Sequence, residues 1–277
     1  MKKIKALAIF NALSLIAQLS FVWLTQGKMI NQLDTGEVSA KYETLFTPVG
    51  MSFGIWGIIY ITVGILCLYH IVIAYKHDRS HPANTELLQM NGLFIVLNLA
   101  SAGWLVAWTQ ERLLVSMSLL FLQLICLLII HYRLGIYDPH KPAELKIATH
   151  FPLSIWLGWI SIAAIANTSS YLTNIGWDRW GLDPVQWTVI MLAVAILLSL
   201  IMIYARKNIY FGLAIAWGFY GIIQKREAAD SDLYDPIIST AWAGIFIIFI
   251  SSVIQMVRNL TYKKARKIFP SATSPIK

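Results

Sequence analysis

From Gly50 to Tyr75 the chain carries no Asp, Glu, Lys or Arg, and the first charge after that point is Lys76. A stretch so long and so apolar has to satisfy its backbone polar groups within itself, which makes it a membrane-spanning helix. It opens on a loop bearing Pro48 and Gly50. In the helix that follows, Trp56, Tyr60 and Gly64 fall at i, i+4 and i+8. One face therefore shows an indole, a phenol and a gap. Both aromatic tips want a hydrogen-bond partner in lipid, and a bare glycine lets a neighbour approach closely. The plainest reading is a helix that enters the bilayer through an aromatic belt and packs on a neighbour through Gly64.

The rest of the chain agrees. Of 277 residues, 57% are hydrophobic and 13% are charged, roughly half the charge fraction of a soluble domain, about a quarter. The fold class is all-α and polytopic, with the lipid bilayer as its main partner. The net charge of +8 does not indicate nucleic acid, because the basic residues sit between apolar runs and at the ends. That is the distribution a membrane topology produces. Eleven tryptophans suit interfacial belts. Cys67 and Cys126 lie inside apolar runs without a CxxC, and read as small buried hydrophobes.

About eight transmembrane helices are expected. The first, residues 6–24, follows a basic start and lacks a small-x-small cleavage site, so it reads as retained, with Asn11 and Gln18 inside the membrane. Residues 25–47 read as an exposed loop, in which Asp34, Glu37 and Glu43 stand against Lys28 and Lys41. Further helices are expected at 52–75, 90–109, from Arg112 to His131, 151–171, 187–204, 209–224 and 236–257. A polar turn at 76–82 and a basic loop at 132–150 separate some of them. The seventh segment is rich in small residues (Gly212, Ala214, Ala216, Gly218, Gly221), which suits tight packing. An even number of crossings puts both termini on one side. Only Lys28, Lys41, Arg112, Arg179, Lys225 and Arg226 then fall on the other, out of 22 lysines and arginines. The positive-inside rule places both termini in the cytoplasm of a plasma-membrane protein.

Three motifs in this order resemble the TspO/MBR family of tryptophan-rich sensory or translocator proteins. Pro48, Gly50, Phe53 and Trp56-x3-Tyr60-x3-Gly64 are similar to the family's second-helix signature, with Val49 at its second proline and Met51 at a usual tryptophan. Asn98-Leu99 is similar to the start of an Asn-Leu-x-Trp motif, although the nearest tryptophans here are Trp104 and Trp108. Trp159, Ala163 and Asn167, at i, i+4 and i+8, match the family's fifth helix. An asparagine in hydrocarbon must be paired, so Asn167 should face protein or ligand.

The resemblance implies a divergent long form of the family. A five-helix membrane domain would occupy residues 1–172, followed by a three-helix extension at 173–257 and a basic tail at 258–277. It also implies a pocket for a planar hydrophobic ligand, a porphyrin, haem or sterol, used in sensing or trafficking and requiring no resident cofactor. By carry-over, Pro48 and Phe53 would shape a lid. Trp56 and Tyr60 would form one wall, Trp159 and Asn167 the opposite wall, and Asn98 would be a polar contact. A homodimer is among the assemblies it allows. The extension could cap the domain, replace a dimer contact or build a second cavity.

Other classes find less support in the residues. No lysine lies inside a helix as a retinal-type receptor requires. No Asp, Glu, Arg or His is expected away from helix ends, where ion coupling would need it. His70, His131 and His150 are expected at interfacial positions. No nucleophile–base set or metal cluster marks an enzyme. The pattern Val257-x4-Tyr262-x-Lys264 and the sequon Asn167-Thr168-Ser169 carry no weight. The alternatives left open are an uncoupled carrier of lipid-like solutes and a ligand-free structural subunit.

Overall fold

The computed structural model describes residues 1–138 and 140–268, and every regular element among them is a helix. In chain order these are α1 (Lys2–Gln26), α2 (Thr35–Lys41), a 3-10 turn (Gly50–Gly54) and α3 (Ile55–Lys76). Next come α4 (Pro82–Met90), α5 (Leu93–Thr109) and α6 (Leu113–Leu134). A single turn, α7 (Ala143–Leu145), runs through a π turn (Lys146–His150) into α8 (Phe151–Asn174). Then follow α9 (Pro184–Arg206), α10 (Ile209–Glu227) and α11 (Asp235–Ile268). All eight predicted segments are helical. Among the described residues six spans are long and apolar enough to cross a membrane, and α4 with α5, bent by 54°, make a seventh. The remaining segment, α10, is short, ends in charge and is buried among its neighbours. The chain is an all-α polytopic membrane protein. The basic tail continues α11 to Ile268, and 269–277 lie outside the described residues.

Packing follows from which helices have a polar or small face to hide. α1, α3, α5, α6 and α8 contact one another as a bundle, and α9, α10 and α11 form a second group. α8 belongs to both. In its most apolar stretch 83% of residues are buried, against 28% to 39% in the other spans, so α8 has no full lipid face. Glycine makes this possible. A Cβ on Gly158 of α8 would stand 2.6 Å from the Phe211 carbonyl oxygen and 2.7 Å from the Ala214 Cβ of α10. One on Gly218 of α10 would stand 3.2 Å from Ile162. The small residues predicted to suit tight packing let α10 lie directly on α8.

One expectation is corrected. The stretch 25–47 is not simply an exposed loop. Asp34 and Glu37 form a capping box that starts α2, and Val38, Phe46 and Thr47 are buried. Side chains pin this segment down: Trp108 Nε1 donates to the Thr35 carbonyl at 3.1 Å, and the Tyr42 hydroxyl donates to Glu111 at 2.7 Å.

His70, His131 and His150, expected at interfacial positions, are buried within the protein. Each has found a partner that burial demands: Thr149 for His70 at 3.1 Å, the Leu127 carbonyl for His131 at 2.8 Å, and Glu86 for His150 at 3.0 Å. Glu86, which receives His150, is fully buried on α4. It also receives Lys141 Nζ at 2.8 Å. A buried carboxylate with two donors is tolerated, and its sequence neighbours gave no sign of the burial.

Candidate functional site

Residues from two of the three motifs, the one that opens the second predicted helix and the one in the fifth, converge on one cavity beneath the 43–54 segment. Pro48 and Phe53 come from the segment itself, Trp56 from the start of α3, Trp104 and Trp108 from α5. α8 contributes Trp159, Ile162, Ala163, Ala166, Asn167 and Ser170. Those six recur at i, i+3, i+4, i+7, i+8 and i+11, a single stripe of an α-helix. In this conformation the cavity measures about 30 Å³, the room of a small solvent molecule.

One side is a run of stacked rings. Tyr60 lies on Trp56 with centroids 5.3 Å apart, Trp56 on Trp104 at 6.0 Å, and Trp104 on Trp108 at 6.4 Å, all within 29° of parallel. Offset stacking at these separations is favourable, by about 0.5–1.5 kcal/mol per pair beyond burial. Across the cavity Phe53 meets Trp159 edge to face at 6.0 Å.

Most polar groups here are spoken for. Asn167 Oδ1 accepts from Ser116 Oγ at 2.8 Å and from Trp104 Nε1 at 3.3 Å, so three helices meet at one amide. Ser170 Oγ donates to the Tyr42 carbonyl at 2.8 Å, tying the segment above the cavity to α8. Trp159 differs. It is 2% exposed and lines the cavity, and its Nε1–H has no hydrogen-bond partner among the described residues. A buried indole donor without an acceptor is costly and usually has a reason.

Of the seven residues selected from sequence, Pro48, Phe53, Trp56, Trp159 and Asn167 line the cavity together. Tyr60 stands behind Trp56 as the end of the stack and does not line it. Asn98 also lies elsewhere: its Nδ2 donates to Ser14 Oγ on α1 at 3.1 Å and to the Phe94 carbonyl at 2.9 Å. An amide in an apolar bundle takes the nearest acceptor, and for Asn98 that acceptor lies on α1. Trp104 and Trp108 were the residues not selected. Their own i, i+4 spacing was the signal, since it puts both indoles on one face of α5.

The segment over the cavity is held from the C-terminal side. Val49 N–H donates to the Gly221 carbonyl at 2.9 Å, and Trp217 Nε1 donates to the Ser52 carbonyl at 2.9 Å. Glu43 receives Arg226 Nη2 at 2.6 Å and Lys225 Nζ at 2.9 Å. Burial alone would raise the Glu43 pKa, but the two cations outweigh it and hold the carboxyl below its ordinary value.

The family model described as TSPO-like protein matches residues 8–254, which takes in α9, α10 and nearly all the apolar part of α11 as well as the five-helix bundle. No curated protein and no solved structure matches the chain. The match covers most of the sequence, and residues from two of the motifs that suggested the family meet in one cavity. The chain belongs to the TSPO-like protein family.

Proposed function

We propose that this protein binds a planar hydrophobic ligand, of tetrapyrrole or sterol-like shape, in the cavity under residues 43–54, for sensing or trafficking at the plasma membrane with both termini cytoplasmic. The observation that carries the reading is Trp159, a buried indole N–H without an acceptor on the wall of an aromatic cavity. A flat ligand with a polar rim would stack on Trp56 and Trp104 and offer that N–H an acceptor.

The lining chemistry suits such a ligand and the present volume does not. Pockets for drug-sized ligands run to about 300–1,000 Å³, against about 30 Å³ here. Binding therefore requires the 43–54 segment to move, while α3, α5 and α8 stay as the walls. Among the described residues no histidine lines the cavity, so a tetrapyrrole would be recognised through its ring faces and rim. On this reading residues 1–172 supply the walls and 173–257 supply the clasp.

The test is a titration of detergent-purified protein with protoporphyrin IX and with haem, following absorbance and tryptophan quenching. Saturable binding is expected in the wild type. It should be lost in Trp56→Ala and weakened about tenfold in Trp159→Phe, which keeps a ring and removes only the donor. Non-saturable partitioning that neither substitution alters would overturn the proposal.

A further inference from the structure

A second cavity system lies on the other side of α8, away from the tryptophan stack. It has two adjoining parts of about 450 Å³ each, which share Ser169, Leu172, Trp187 and Met191. The inner part is a groove between α6 and α9, floored by α8. Phe121 and Leu128 come from α6, Ala164 from α8, and Val194 and Leu198 from α9. The groove opens sideways to lipid, because Phe121, Leu128, Val194 and Leu198 are 40% to 47% exposed. Two of its hydroxyls make no demand: Ser161 and Thr168 donate to carbonyls of their own helix. Along α9 it extends from Trp187 to Met202, about 22 Å at 1.5 Å per residue. That length takes one extended acyl chain.

The outer part is more polar than the inner one and lies at the ends of helices on the face opposite the N-terminus. Arg179, Arg226 and Glu43 line it. Arg226 is 5% exposed, and its Nη2 is committed to Glu43, but its Nε–H has no partner among the described residues. Glu43 is itself shared with Lys225, so the cations outnumber the lining carboxylate. Trp177, Trp180 and Trp187 cluster beside it, with centroids 4.9 to 5.6 Å apart. Such indoles mark the headgroup level of a bilayer. An apolar channel open to lipid and ending at an under-neutralised, buried guanidinium is the shape and charge of an amphiphile with an anionic phosphate head.

We propose that the α6–α8–α9 seam binds one molecule of anionic membrane phospholipid, with an acyl chain in the groove and its phosphate at Arg226 and Arg179. The ligand comes from the leaflet opposite the termini. Because Arg226 also holds Glu43, the bound lipid sits against one of the contacts that fix the segment over the tryptophan cavity.

Native mass spectrometry of the full chain, exchanged into mild detergent and supplied with dioleoyl phosphatidylglycerol or dioleoyl phosphatidylcholine, tests this. One phosphatidylglycerol should be retained, about tenfold in preference to phosphatidylcholine, the effect of one charge-assisted hydrogen bond. Arg179→Gln should remove the preference while still admitting a lipid. Val194→Trp, a lipid-exposed position whose indole would fill the groove, should abolish retention of both lipids with an unchanged unfolding midpoint. Equal retention of the two lipids by the wild type, or retention undiminished in Val194→Trp, overturns the proposal. A preference that survives Arg179→Gln overturns the headgroup assignment.

Discussion

Val49 donates its backbone N–H to the carbonyl of Gly221 at 2.9 Å, a bond between the segment that covers the tryptophan cavity and a helix near the other end of the chain. The approach is possible only because residue 221 is glycine. A Cβ there would stand 1.8 Å from Ser52 Oγ and 2.9 Å from Pro48 Cβ. The C-terminal helices are therefore part of how the cavity is closed, and the five-helix bundle is not complete without them.

Gly221→Ala should release that segment. The new methyl has to displace Pro48 and Ser52, and overpacking of this kind costs about 1–3 kcal/mol. The expected outcome is a lower unfolding midpoint together with faster association of protoporphyrin IX in stopped-flow quenching. Gly57→Ala is the control, because its Cβ meets nothing within 4 Å. Identical behaviour of the two variants would show that α10 does not gate the cavity.

Gly158→Ala tests the junction between the two groups of helices. Its Cβ would meet the Phe211 carbonyl oxygen at 2.6 Å, and backbone cannot swing aside as a flexible side chain can. Separating α10 from α8 should cost about 1–3 kcal/mol or more, read as a fall in midpoint by thermal unfolding in detergent. Gly218→Ala, at 3.2 Å from the side chain of Ile162, should cost less because that side chain can adjust.

Acid should loosen the same closure. Burial tends to raise the Glu43 pKa, yet Lys225 and Arg226 hold it below the ordinary value in the folded protein. A carboxyl depressed on folding adds stability above its unfolded pKa, about 4.3 for glutamate, and loses it as pH falls through the folded value. The wild type should therefore exceed Glu43→Gln in unfolding midpoint at neutral pH, with the gap shrinking only below about pH 4. A gap that persists unchanged to pH 3 would mean the ion pair is not the source.

Helix positions were legible because periodicity and charge-free length survive any packing arrangement. The site was legible to the extent that its residues shared one helix face: Trp56, Trp159 and Asn167 were found by i, i+4 spacing, and all three line the cavity. Asn98, taken from the Asn-Leu pair by resemblance, faces α1, because a short motif gives a position and not the neighbour it meets. The burial of Glu86 was not legible for a related reason. Glu86 lies on α4, which folds back on α5 at Asn91, where φ is +48°, and no local pattern announces that bend. The clasp by Gly221 joins positions far apart in the chain, where local periodicity holds no signal.

Asn167 is the residue on which wall and scaffold coincide. Its Oδ1 accepts from both Trp104 Nε1 and Ser116 Oγ. Asn167→Leu would leave two buried donors without an acceptor, at about 1–3 kcal/mol for each unsatisfied group. Trp104→Phe removes one of those donors while keeping a ring in the stack. If the amide holds the indole, Trp104→Phe should cost less in the Asn167→Leu background than in the wild type, with a coupling of about 0.5–3 kcal/mol. A double-mutant cycle on unfolding free energy measures it. Strict additivity would mean that the 3.3 Å contact contributes nothing and that Ser116 alone positions the amide.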